Sequence, residues 1–160
     1  LGGWKSEGRP LESGAGRRQP AGDFRAELQP GQVRTLDQVR GILESGSAQV
    51  VDARPAGRFR GVDPEPRAGL RGGHMPGARN LPYADLVDAT GRMLPPDILR
   101  ARLQAAGIDP DRPVVATCGS GTSSCAVLLA LEVLGAPAGA LYDGSWTEWG
   151  GRDDVPVASE

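Results

Sequence analysis

P-V-V-A-T-C-G-S-G-T-S-S-C-A-V-L-L-A-L-E-V-L-G, residues 113–135, changes character twice. P-V-V-A-T (113–117) is a short apolar run of strand type, and residues 122–134 read as an apolar helix. Between them stand Cys118, Gly119, Ser120 and Gly121, with further hydroxyls at Thr122, Ser123 and Ser124. A buried strand that runs through a short glycine loop into a helix is a unit of an open α/β sheet. The cysteine adds chemistry to that unit. Just before a helix it meets unpaired backbone N–H groups and the positive end of the helix dipole. Such surroundings lower a thiol pKa and favour the thiolate. Gly119 and Gly121 let the backbone curl so that several amides aim at one centre. The stretch therefore reads as a nucleophile, Cys118, inside an anion cradle. Cys125, within the apolar helix, reads as a small core residue.

The flanking sequence extends the same architecture. T-L-D-Q (35–38) has the form of a capping box, and Leu36, Val39, Ile42 and Leu43 share one helical face behind it. A-Q-V-V-D-A (48–53) is a short strand ending in an acid. Residues 54–77 are dense in proline and glycine and are expected to hold no regular structure. A-R-N-L (78–81) predicts a short strand, Y-A-D-L-V (83–87) a helical turn, and G-A-L-Y (139–142) a last strand. P-P-D-I-L-R-A-R-L-Q-A-A-G (95–107) predicts a helix with proline in its first turn and glycine past its end. The succession is that of an open, mostly parallel α/β sheet. Ligands of such sheets sit beyond the carboxyl ends of the strands. Both unusual loops, 54–77 and 118–123, begin at such ends, so the arginine-rich G-R-F-R-G-V-D-P-E-P-R (57–67) is expected beside Cys118.

Composition narrows the function. A chain of 160 residues with 39% hydrophobic residues supports one domain and a tail. A net charge of −2 gives no argument for nucleic acid or a membrane surface as partner, and no apolar run is long enough to span a bilayer. The start, L-G-G-W-K-S-E-G-R-P, carries no secretory pattern and no initiator methionine, so a fragment is expected. Two cysteines seven positions apart and a single histidine make neither a disulfide framework nor a structural zinc site. No metal and no cofactor are expected, and a reducing cytosol fits the free thiols. Lys5 is the only lysine. Arginine suits recognition of carboxylates and oxyanions, although a GC-rich genome gives the same bias.

Residues 1–31 are polar, rich in glycine and proline, and without hydrophobic period, as in a tail or linker. L-G-G-W-K-S-E-G-R-P-L-E-S (1–13) nonetheless echoes Y-D-G-S-W-T-E-W-G-G-R-D-D-V-P-V-A-S (142–159). Each has glycine, a small residue and tryptophan, then Glu, Gly, Arg and Pro in order. A tandem of two repeats, with the end of the first and all of the second, is the simplest account.

The loop also restricts the anion. A phosphate-clamping loop of tyrosine-phosphatase type places an arginine six positions after the cysteine, and here that position is Ser124. No lysine or arginine occurs from 118 to 125, so a dianionic phosphate would be poorly compensated. Amides and hydroxyls alone suit a persulfide or a donor that needs only modest local charge.

Four motifs in order, V-V-D-A-R (50–54), G-H-M-P-G-A-R-N-L-P (73–82), C-G-S-G (118–121) and Y-D-G-S-W-T-E-W (142–149), resemble the catalytic, C-terminal domain of the tandem-domain sulfurtransferases of the rhodanese family. The resemblance implies a rhodanese-like α/β fold, a mostly parallel sheet with helices on both faces. It implies that residues 1–13 are the tail of a preceding rhodanese-like domain, 14–31 a linker and 32–160 the catalytic domain. C-G-S-G resembles the branch that draws sulfur from 3-mercaptopyruvate, whereas thiosulfate-specific relatives carry two basic residues where Gly119 and Ser120 stand.

By the same resemblance, Cys118 takes sulfur as a persulfide, releases pyruvate and passes the sulfur to a thiol, thioredoxin or cyanide. Ser120 polarises the donor carbonyl or relays a proton, with partners expected in the preceding domain. Arg58 and Arg67 hold the donor carboxylate and keto oxygen, and Arg60 faces water. The loop residues Gly119, Gly121, Thr122 and Ser123 cradle the persulfide. Thr122, Ser123 and Ser124 depart from the family's usual Val, Thr and Ala. His74 is expected in a structural turn, and Asp52 with Arg54 as an ion pair or loop anchor. Trp146 and Trp149 either wall the pocket or pack. A thiosulfate sulfurtransferase and a non-catalytic persulfide-carrying module remain the alternatives.

Overall fold

In the computed structural model of the chain, residues 1–16, 20–27 and 29–159 are described. Residues 17–19 and 28 of the expected linker, and Glu160, lie outside them. The elements are α1 (Gly2–Ser6), β1 (Val33–Arg34), α2 (Leu36–Ser45), β2 (Gln49–Asp52), α3 (Ala56–Arg60), β3 (Arg79–Asn80), α4 (Pro96–Ala105), β4 (Val114–Thr117), α5 (Cys125–Val133), β5 (Ala140–Tyr142) and α6 (Ser145–Trp149), with a 3-10 turn at Tyr83–Leu86. Among the described residues, no helix is long and apolar enough to cross a membrane.

Local chemistry sets these elements. The Thr35 hydroxyl accepts from the Gln38 amide at 3.4 Å, and the Gln38 side chain accepts from the Thr35 amide at 3.0 Å, closing both arms of the capping box. Helix α4 carries proline at its first turn, where the missing N–H costs nothing, and buries Leu99 and Leu103. The strands form one sheet in the order β1-β5-β4-β2-β3, with every pair parallel. Alternation along the strands divides the core in two. Val51, Val114 and Ala116 face α4, α5 and the 3-10 turn. Val50, Val115 and Ala140 face α2, Trp146 and Trp149. The expected parallel sheet with helices on both faces is present.

Two local expectations need correction, and two short elements are added to those expected. Residues 54–77 do hold a helix, the short α3: Pro55 leads into it, Phe59 anchors it in the core, and Gly61 ends it at φ 80°. Strand β1, only two residues long, has no apolar run to announce it and is held by pairing with β5. Residues 145–149 form α6, an element for which no expectation was stated. Helix α5 begins at Cys125 after tight turns at 122–124, and its buried face is Val127, Ala130 and Leu131. Position 125 lies two residues before Val127, on the opposite side of a 3.6-residue helix. Cys125 is therefore exposed, not a core residue.

The two echoed segments share one contact, made in the second by Trp149 and not by the aligned Trp146. The Trp149 indole N–H donates to the Pro156 carbonyl at 2.8 Å, and the Trp4 indole N–H donates to the Pro10 carbonyl at 2.8 Å. Each tryptophan lies in a five-residue helix. Trp149 is wholly buried, whereas Trp4 is 46% exposed.

His74 is in a structural turn as expected. Its ring stacks on Phe59 with centroids 3.9 Å apart, and its Nδ1 lies 2.9 Å from the Phe59 carbonyl oxygen. Its backbone pairs with Ala158 in both directions. This pairing requires glycine at 73, where φ is 112° and a Cβ would run into the Ala158 carbonyl and the Val157 side chain. Gly77 shares the positive φ, at 85°, but faces open space. Gly77→Ala is expected to cost about 1–2 kcal/mol, the backbone term alone. Gly73→Ala should cost at least about 2 kcal/mol more, because the collision is with backbone. Equal losses in urea-unfolding free energy would show that the pairing with Ala158 is not tight.

Candidate active site

Strands β2 and β4 lie side by side, with Asp52 opposite Thr117, and the Ala53 amide donates to the Thr117 carbonyl at 2.8 Å. Beyond that bond the two connections part. The chain after β2 leads to the edge strand β3, and the chain after β4 leads to β5 on the other side. The gap between diverging connections is where an open parallel sheet receives a ligand. Cys118 and the arginine loop enter this gap together. A surface depression under α2, lined by Arg34, Gln38, Ile42 and Ala140, lies at the amino ends of the strands and contains no nucleophile.

Helix α6 clamps the cysteine loop from one side. The Cys118 amide donates to Ser145 Oγ at 3.2 Å, and that hydroxyl donates to the Tyr142 carbonyl at 2.9 Å. The Trp146 amide donates to the Cys118 carbonyl at 2.9 Å, and the Thr147 amide to the Gly119 carbonyl at 3.0 Å. Ser145 adopts φ 51°, a left-handed conformation rarely taken by a residue with a side chain, and it is fully buried. From the other side the loop folds over itself. Gly121 has φ 82°, and a Cβ there would meet the Asp143 carboxylate at 2.7 Å. The Ser124 hydroxyl donates to the Gly121 carbonyl at 2.6 Å.

Cys118 is buried, and burial pushes its thiol pKa up. Hydrogen bonds from the Ser123 hydroxyl and from the Ser120 and Ser124 amides outweigh that, so the pKa lies below the ordinary thiol value. The lowering comes from neutral donors, with no cation among its leading causes. Thr122 and Ser120 are exposed at the mouth of the loop, and Ser123 is half-buried.

The arginines differ sharply in their partners. Arg54 is 1% exposed and binds Asp52, Glu65 and the Gly73 carbonyl, with its guanidinium 4.1 Å from the Trp146 ring. The expected Asp52–Arg54 pair is thus formed. Arg58 pairs with the same Glu65, whose side chain is 2% exposed. One Nη of Arg58 lies 3.2 Å from where a Gly119 Cβ would stand, so the absence of a side chain at 119 makes room for it. Arg67 donates to the Thr147 hydroxyl at 2.6 Å, and among the described residues it forms no ion pair. Arg60 is exposed, as expected. Trp146 and Trp149 are fully buried, with indole N–H groups on the carbonyls of Arg71 and Pro156, so both pack.

The structure thus brings Cys118, Arg58 and Arg67 to one loop. It adds Glu65, Ser145 and Thr147, which sequence reasoning did not single out. Ser145 and Thr147 lie within Y-D-G-S-W-T-E-W, so the motif was visible but its contacts were not. Glu65 sits in D-P-E-P-R, where nothing in sequence distinguishes a buried bridge from a solvated acid. Among the described residues, no group of three His, Cys, Asp or Glu side chains could hold a metal ion.

Known proteins resemble this chain in sequence and fold. The family profile described as rhodanese-like domain matches residues 35–152. A 3-mercaptopyruvate sulfurtransferase of Homo sapiens is 43% identical over 146 residues, 91% of this chain and 49% of that protein. A thiosulfate sulfurtransferase of Bos taurus is 41% identical over 147 residues, 91% of this chain and 49% of that protein. The crystal structure of the Escherichia coli 3-mercaptopyruvate sulfotransferase SseA superposes with a TM-score of 0.75 at 39% identity, over 91% of this chain and 53% of that one. The chain spans about half the length of the curated relatives it matches.

If neutral donors set the thiol pKa, removing one must raise it. Ser123→Ala should shift the midpoint of the pH profile for iodoacetamide alkylation of Cys118 upward, read by peptide-resolved mass so that exposed Cys125 is counted separately. An unchanged midpoint would remove Ser123 from the thiolate's support.

Proposed function

The chain belongs to the rhodanese-like domain family, and from that premise we propose that it is the catalytic domain of a 3-mercaptopyruvate sulfurtransferase. The observation that carries this reading is a thiol with lowered pKa in a loop of neutral donors, flanked by two arginines that lie outside the loop. Cys118 Sγ attacks the donor's sulfur. The donor's C–S bond breaks, and its electron pair leaves in the enolate of pyruvate, which takes a proton at carbon. Sulfur stays on Cys118 as a persulfide, for which the Ser120 and Ser124 amides and the Ser123 hydroxyl are the anion donors. A thiol, thioredoxin or cyanide then attacks the outer sulfur, and the S–S bond breaks to return the Cys118 thiolate.

In this reading Arg67 takes the donor carboxylate, because it forms no ion pair among the described residues, and Arg58 takes the keto oxygen from its place over Gly119. Ser120, exposed at the mouth, meets the donor carbonyl. Gly119, Gly121, Thr122 and Ser123 complete the cradle. Residues 1–13 belong to the end of a preceding rhodanese-like domain, a reading supported by the half-length coverage and by the shared Trp4 and Trp149 contacts. Residues 14–31 link that domain to the catalytic domain, 32–160. A reducing compartment such as the cytosol keeps Cys118 available.

Identity to thiosulfate sulfurtransferases favours a second donor, and kcat/KM on the two donors separates the readings. The full chain should prefer 3-mercaptopyruvate. Cys118→Ser should abolish pyruvate release, and Arg67→Gln should raise KM for 3-mercaptopyruvate by tenfold or more, about 1.4 kcal/mol. Full turnover by Cys118→Ser would refute the mechanism, and a higher kcat/KM on thiosulfate would replace the donor.

A further inference from the structure

We propose that Thr147 is a positioning residue that fixes Arg67 against the cysteine loop and thereby sets the site's selectivity for carboxylate-bearing donors. This rests on the reading of Arg67 as the carboxylate ligand given above. The Thr147 hydroxyl accepts from Arg67 Nη1 at 2.6 Å and donates to the Gly119 carbonyl at 2.6 Å. A hydroxyl has one hydrogen to give and lone pairs to receive, and both roles are used here. The two bonds tie an arginine from residue 67 to the residue after the nucleophile, across 80 and 28 positions of sequence.

Nothing else in the described structure holds the Arg67 head group. Its neighbour Arg58 is fixed by Glu65, but Arg67 makes no ion pair among the described residues. A long exposed side chain without such a contact samples many rotamers, and ordering it on donor binding costs free energy. A neutral hydroxyl orients the guanidinium without cancelling its charge. A carboxylate in the same place would orient it and also compete with the donor. Thr147 thus pre-orders Arg67 while leaving its charge for the ligand.

The backbone separates this role from a merely structural one. The Thr147 amide also donates to the Gly119 carbonyl, at 3.0 Å. Loss of the hydroxyl therefore leaves the loop tethered and Cys118 in place, while Arg67 is released.

The test compares two alkylating agents on Cys118 of the full chain, iodoacetate, which bears a carboxylate, and its neutral counterpart iodoacetamide. Rates are read by peptide-resolved mass for wild type, Thr147→Val, Thr147→Ser and Arg67→Gln. Thr147→Val should lower the iodoacetate-to-iodoacetamide rate ratio about threefold to tenfold, in the direction of Arg67→Gln, with the iodoacetamide rate unchanged. Thr147→Ser should restore the wild-type ratio. A wild-type ratio in Thr147→Val beside a lowered one in Arg67→Gln would overturn the proposal. Equal slowing by both reagents would also overturn it, since that is what a displaced loop would do. An unchanged ratio in Arg67→Gln would overturn it together with the assignment of Arg67, while leaving persulfide formation on Cys118 as a separate question.

Discussion

One buried guanidinium joins the parts of this site. Arg54, at the end of β2, binds Asp52 from its own strand, Glu65 from the arginine loop and the Gly73 carbonyl from the turn that holds His74. Its face lies against the Trp146 indole in the helix that clamps Cys118. Sheet, arginine loop, structural turn and clamp thus share one side chain. Removing it would leave Asp52 a buried carboxylate without countercharge and Glu65 with Arg58 alone, and stranding a buried charge in this way typically costs about 3–5 kcal/mol. Glu65 then passes the arrangement on to Arg58, so the series Asp52, Arg54, Glu65, Arg58 alternates in sign. Arg67 stands outside the series and forms no ion pair among the described residues.

Around the cysteine the physics is different. Burial works against a low thiol pKa, and donors from Ser120, Ser123 and Ser124 reverse the result, with no cation among the leading causes. Such a loop stabilises a single negative charge well. Positive charge is kept outside it, on arginines delivered by another strand connection. The space over Gly119 is what lets Arg58 come so close. A side chain there would have to displace it, which gives a physical reason why the residue after the nucleophile bears on the choice of donor in the proposed reaction.

The parts readable from sequence were those with local causes. The Thr35 capping box, the proline-led α4, the alternating strands and the parallel order needed only short-range patterns and the rule for ligand placement. The meeting of Cys118 with the arginine loop followed from two strand ends. Cys125 was misjudged because α5 is apolar nearly all round, so its sequence does not mark which face turns inward. Helix α6 and strand β1 escaped notice because a five-residue helix and a two-residue strand owe their existence to tertiary contacts. The roles of Glu65, Ser145 and Thr147 were hidden for the same reason. Their partners lie 7 to 80 positions away, and nothing in residue type announces a bond across that distance.

The central claim is that Cys118 carries sulfur taken from 3-mercaptopyruvate. The intact mass of the chain after exposure to that donor, with thiosulfate in parallel, tests it most directly. The account predicts one added sulfur atom from 3-mercaptopyruvate, removed by cyanide and absent in Cys118→Ala. Sulfur that persists in Cys118→Ala, or no added sulfur on a full-length wild-type chain, would contradict it.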